Sequence, residues 1–150
     1  MKTPTRSAIA ARILLGAFLA ASGATTTALG QATTYVTVTD PKPNQAITIG
    51  PGSAMYTISG TIQTNWYLTG ASLPYLDDNG NPASLASIQA KDFKPDPTDP
   101  SKWTVSFSCG TGTFSKVKLV VNARTDGDSN GNPAKTATVE VTGLTITKQQ

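Results

Sequence analysis

The loop Asp126-Gly127-Asp128-Ser129-Asn130-Gly131-Asn132 is the densest set of groups in this chain that could do chemistry. Side-chain oxygens recur at alternate positions with glycine sixth. This is the opening of a looped calcium site, because Ca²⁺ gathers several carboxylate and amide oxygens around a sharp turn. Asp126, Asp128 and Asn130 are the candidate ligands. The twelfth position, where such a loop needs a bidentate carboxylate, is Ala137. The same residues also write a tight turn, since Asn-Gly favours left-handed backbone and Asp and Asn bond their own backbone. That reading needs no cofactor, and it is the preferred one. Asn-Gly-Asn-Pro-Ala occurs both at 79–83 and at 130–134, each time with an aspartate two residues ahead, and two turns of similar shape account for it.

Other chemistry is sparse. The chain has no histidine, which removes the usual general base, triad partner and zinc ligand. It has no Gly-x-Ser-x-Gly elbow and no phosphate-cradling glycine loop. Asp77 with Asp78, and Asp96 with Asp99, are carboxylate pairs, but they sit in Pro- and Gly-flanked loops where solvation predicts ordinary pKa values. No catalytic residue is expected, and the chain reads as a non-enzyme. Tyr67 and Tyr75 are candidate carbohydrate contacts, because an exposed aromatic face can stack on a sugar ring, whereas Trp66 and Trp103 have the parity of core residues. Cys109 continues the alternation of Trp103, Val105 and Phe107 and is expected to face inward as a small hydrophobe. As the one cysteine it can make no intramolecular disulfide.

Strands must position these groups. From Lys116 to Thr147 two alternating runs flank a turn-rich segment. Val117, Leu119, Val121 and Ala123, then Ala137, Val139 and Val141, share the apolar face. Gly143 shifts the parity so that Leu144 and Ile146 continue inward. Met55 to Gln63 is a strand with Tyr56, Ile58, Gly60 and Ile62 on one side, and Trp66 to Leu68 begins the next, with a bulge expected near Gly70. Thr34 to Thr39 and Ala46 to Ile49 read as two pieces of one edge strand, split where Pro41 and Pro43 cannot donate to a ladder. Ser84 to Phe93 fits either a strand or a single helical turn. Lys94 to Lys102, with prolines at 95, 97 and 100, reads as a surface loop that cannot join a sheet. The sum is an all-β, two-sheet antiparallel sandwich of about seven strands, one domain over 34–147 with a short tail at 148–150.

Residues 1–30 read as a cleaved secretory signal peptide, with Lys2, Arg6 and Arg12 ahead of an apolar run from Ile13 to Ala21. That run is too short to span a bilayer, so no membrane span is expected after cleavage. Three of the twelve basic residues leave with it, and the remaining nine match the nine acidic residues. The processed chain is close to neutral, so a nucleic-acid partner, which requires a basic surface, is not expected.

The succession Ile58-Ser59-Gly60-Thr61, the Trp103-Thr104-Val105 strand, and Ala123-Arg124-Thr125-Asp126 leading to Gly131-Asn132 and Thr138-Val139-Glu140-Val141 resembles bacterial immunoglobulin-like modules. In these a V-x-G-T strand, a W-x-V strand and an A-x-D turn before the last strand recur. The resemblance runs from Val36 to Ile146 and implies an immunoglobulin-like fold rather than an activity. It implies a secreted module of the cell surface or periplasm with a structural, adhesive or protein-binding role, whose partner is another protein or a surface glycan. A calcium-stabilised surface module is the remaining alternative.

Overall fold

The computed structural model describes residues 35–127 and 130–150; the signal-peptide segment and Asp128 lie outside them. The described residues form nine strands: β1 (Val36–Asp40), β2 (Ala46–Ile49), β3 (Tyr56–Ile62), β4 (Tyr67–Leu76), β5 (Pro82–Gln89), β6 (Lys94–Pro95), β7 (Lys102–Phe107), β8 (Gly112–Arg124) and β9 (Thr136–Lys148). One sheet has the order β1-β3-β7-β6 and the other β2-β9-β8-β4-β5. The chain is all-β, and its apolar faces meet in a single core. No helix among the described residues is long and apolar enough to cross a membrane.

The alternating runs bury the side they advertise. Val117, Leu119, Val121, Ala123, Ala137, Val139 and Val141 are all buried, as are Ile58, Trp103, Val105 and Phe107. Gly143 takes a left-handed φ of 75°, and beyond it Leu144 and Ile146 return to the core, fully buried. The bulge near Gly70 is present as a register shift between Leu68 and Gly70 against β8. The ambiguous segment after Ser84 is both things in turn: β5 runs to Gln89, and a 3-10 turn follows over Ala90–Asp92. Lys148, grouped with the tail in the sequence reading, is the last residue of β9; its buried ammonium donates to the carbonyls of Gly52 and Ala54 at 2.9 and 2.8 Å.

Four expectations are corrected. The second sheet is mixed rather than antiparallel, because β2 runs parallel to β9, Ala46 opposite Thr145 through Ile49 opposite Lys148. The two N-terminal pieces are edges of different sheets rather than one split strand. Pro41 and Pro43 have no N–H with which to extend the ladder to β3, and the chain is handed instead to β9, the Asn44 amide donating to Thr142 O at 3.0 Å and the Thr145 amide to Gln45 O at 3.1 Å. Asn44 and Gly143 touch at this crossing, and a Cβ on Gly143 would overlap the Asn44 side chain. The kink is fastened to β3: Tyr56 donates its hydroxyl to Asp40, and Gln45 Nε2 reaches that hydroxyl at 3.3 Å. Burial, with Asp40 beside it, raises the Tyr56 pKa well above that of an ordinary phenol.

The third correction is β6. Lys94 and Pro95 do join a sheet, pairing with Thr104 and Trp103, which an edge position permits to a proline. The fourth concerns the burial of Trp66 and Cys109: both pack against the core as their parity predicts, but they are only half-buried. Trp66 precedes β4 and Cys109 follows β7, so neither is held by a ladder at the sheet's centre.

Trp103 is the largest core side chain and is 2% exposed. Its indole lies over Gly60, the residue opposite it on β3, and Phe93 meets it edge-on with ring centroids 5.4 Å apart. A Cβ at Gly60 would overlap both the indole and the Thr37 carbonyl on the far strand. Gly60→Ala is therefore expected to cost about 3 kcal/mol through overpacking, whereas Gly110→Ala, which meets nothing within 4 Å, should be neutral. Urea unfolding of the two variants checks the contrast, and equal midpoints would refute this account of the core.

Candidate functional site

Tyr67 and Tyr75 stand near opposite ends of β4. Eight residues of strand separate them by about 26 Å at roughly 3.3 Å per residue, so the two tyrosines cannot share one sugar ring. Each belongs to a different constellation.

At the first end the Tyr67 hydroxyl donates to Asp126 Oδ1 at 2.6 Å and accepts from Arg124 Nε. The Arg124 guanidinium carbon also lies 5.1 Å from the centre of the Tyr67 ring. The hydrogen bond to Asp126 raises the Tyr67 pKa. One face of Tyr67 is thus covered by a cation, and its hydroxyl is engaged from both sides. Beside this clasp Tyr35 stacks on Trp66, with ring centroids 4.5 Å apart and planes 17° from parallel. The pair borders a shallow pocket of ≈ 310 Å³ with Asp126 and Lys135. Tyr35 lies in the Thr34–Thr39 run on the side opposite Val36 and Val38, and parity within that run carries no sign of its partner Trp66.

Of the candidate calcium ligands, Asp126 accepts the Tyr67 hydroxyl through Oδ1. Asp128 lies outside the described residues, Asn130 follows at the turn, and Ala137 faces the core. Among the described residues no group of three acidic or cysteine side chains converges on one point. The sister turn shows what an aspartate two residues before Asn-Gly does. Asp77 Oδ1 accepts the amides of Asn79 and Asn81 at 2.9 and 2.8 Å, closing the loop on itself. Gly80 and Gly131 have φ of 80° and 84°, so the two turns share their left-handed residue.

The loop carboxylates are not ordinary, which corrects a further expectation. The Asn81 amide holds Asp77 below the usual 3.8. The Thr98 hydroxyl does the same to Asp96, and the Ser101 hydroxyl to Asp99. Hydrogen bonds to the charged form stabilise it. Such groups are poor general acids at neutral pH, and their oxygens are already committed to their own turns.

The second constellation is a cleft of ≈ 770 Å³, within the size range of ligand sites, lined by Pro74, Tyr75, Leu76, Asp77, Phe114, Lys116 and Lys118 among others. It exists because β4 and β8 part company. Their ladder ends with Ser72 opposite Val120. Beyond that point β4 pairs only with β5 and β8 only with β9. Pro74, which has no amide hydrogen, stands just past the last pair. On the other wall β8 carries one extra residue between Phe114 and Val117, with Lys116 at φ 54°, while the next register shift, between Val117 and Leu119, places its extra residue on β9 at Gly143. Extra residues on one strand bend it away from its neighbour. Tyr75 and Phe114 meet edge-on across the opening, centroids 5.3 Å apart, and close its core side. Leu76 is 62% exposed at its rim. Of the two candidate tyrosines, only Tyr75 lines this cleft.

No protein-family model matches this chain, and no curated protein does.

Two measurements check these assignments. Because Asp77, Asp96 and Asp99 have depressed folded pKa values, their stabilisation is complete above the unfolded value near 3.8 and is lost as pH falls through the folded values. The melting temperature should therefore fall more steeply below about pH 4 for the native chain than for an Asp77→Ala, Asp96→Ala double variant. A carboxyl NMR titration placing Asp77 at or above 3.8 would contradict the turn geometry. EDTA is expected to leave the melt unchanged, and a calcium-dependent rise would restore Asp126, Asp128 and Asn130 as ligands.

Proposed function

We propose that this chain is an exported, non-catalytic immunoglobulin-like module that binds a partner protein, in a structural or adhesive role at the bacterial cell surface or in the periplasm. Strand order supports the fold assignment. Numbered along the chain, β1-β3-β7-β6 matches the ABED sheet of immunoglobulin sandwiches, and β9-β8-β4-β5 matches the GFC sheet with its added C′ strand. The signal-like segment at 1–30 supports export. The observation that carries the function is the cleft between β4 and β8. It combines exposed apolar surface at Leu76, aromatic rings at Tyr75 and Phe114, and charge at Lys116 and Lys118. Such a mixture suits a protein ligand, since aromatic and aliphatic anchors supply most binding energy and charges fix the register.

A surface glycan is the second reading, favoured by the Tyr35–Trp66 stack, whose outer ring is 41% exposed. Displayed peptide libraries and a glycan array, each probed with the processed chain, separate the two. Peptide ligands are expected, and Leu76→Asp should weaken them about tenfold, the loss of one apolar anchor of more than 1 kcal/mol. Binding to glycans alone, abolished by Tyr35→Ala, would replace the protein-binding reading with the carbohydrate one.

A further inference from the structure

We infer that the partner enters the cleft as an extended strand, hydrogen-bonded to β4 on one side and to β8 on the other, with acidic side chains directed to the β8 wall. The inference rests on the protein-binding reading and specifies its ligand: a polypeptide segment of alternating apolar and acidic residues. The ladder is the first ground. Past Ser72 and Val120 the two strands no longer pair, so from Leu73 to Leu76 and from Phe114 to Lys118 the backbone facing the opening has no strand partner among the described residues, Pro74 offering a carbonyl but no N–H. A row of unpaired N–H and C=O groups is a template for another strand. Here two such rows face one another across a single opening, and a strand seated between them pairs with both. A sugar or a helix offers no matching line of donors and acceptors.

Topology adds a constraint. β4 and β8 are antiparallel, so any strand between them is antiparallel to one wall and parallel to the other. The sheet already contains a parallel pair in β2 and β9, and the insertion would make it six-stranded. The charge of the walls sets the ligand chemistry. Lys116 and Lys118 line the opening on β8. On the β4 side the Asp77 carboxylate is turned into its own loop by the amides of Asn79 and Asn81, and exposed Asp78 borders the opening beyond the end of β4, so the positive charge is confined to the β8 wall. Lys118 also reaches Glu140 on β9 at 3.1 Å, an exposed pair that an incoming carboxylate can exchange at little cost. Apolar residues of the incoming strand then face Tyr75 and Phe114 on the core side.

The other sheet edges are less inviting. β6 is two residues long and contains a proline, β2 is four residues long, and β1 ends at a bulge beside Pro41. On β5 the Ser84 hydroxyl donates to the Ala86 carbonyl at 3.0 Å, occupying part of that edge. Each of these edges offers an incoming strand one side to pair with, whereas the cleft, which itself carries Pro74 and the β8 bulge, offers two.

The test uses the processed chain, isotope-labelled, with capped ten-residue peptides alternating Val or Thr with Glu, and a matched series with Lys in place of Glu. We expect the acidic series to bind, and amides on both walls, within 73–76 and 114–118, to gain exchange protection together with intermolecular amide contacts. Lys116→Glu should weaken the acidic series about tenfold and leave the melting temperature unchanged. Protection on one wall only, protection along β5, or equal affinity for the Lys series would overturn the inference while leaving the protein-binding reading intact. Absence of peptide binding up to about 1 mM, with glycan binding present, would remove both.

Discussion

Strand β8 has a neighbour on each side only over Val120 to Arg124; from Gly112 to Leu119 it is bonded to β9 alone. The architecture of the second sheet follows from that limit. Where both ladders exist, the sheet is closed, and Val121 and Ala123 are buried beneath it. Where only one exists, the bulge between Phe114 and Val117, with left-handed Lys116, carries β8 away from β4, and the space between them becomes the cleft. Proline at 74 removes a donor at the position where the ladder stops. A fully paired sheet would have no such opening, and the molecule would present little more than polar turns and a small aromatic stack.

The first sheet supplies the rigidity that lets the second be incomplete. β3 and β7 pair without interruption from Tyr56 opposite Phe107 to Thr61 opposite Lys102, and Trp103 fills the space left by Gly60. With no disulfide available to Cys109 and no α-helix among the described residues, cohesion comes from side chains of both sheets meeting in one core. The chain crosses between sheets at 40–45 and so ties two edges together, with Tyr56, Asp40 and Gln45 holding the crossing in place.

Groups that looked reactive in the sequence are mostly spent on shape. Asp77, Asp96 and Asp99 bond the amides and hydroxyls of their own turns, and Asp126 completes a clasp with Tyr67 and Arg124. Hydrogen bonds to the charged form acidify Asp77, Asp96 and Asp99, and each contributes order to its own loop. The cleft adds surface chemistry of another kind: aromatic rings, an exposed leucine and two lysines.

Residue order alone determined the all-β class, the faces of β3, β7, β8 and β9, the bulge at Gly70 and the parity change at Gly143, because each follows from period-two alternation or from a residue with special backbone freedom. It also placed Tyr75 among candidate contacts and the Asn-Gly segments in turns. Tertiary structure alone decided which edges the strands find. Prolines 41 and 43 announce a break, but whether the chain resumes in the same sheet or crosses to β9 depends on which edge is open. Likewise Lys94 and Pro95 become a strand only because β7 leaves an edge free. The pairing of Tyr35 with Trp66 and the gap between β4 and β8 are properties of how distant segments meet, and alternation within one segment carries no record of its partner.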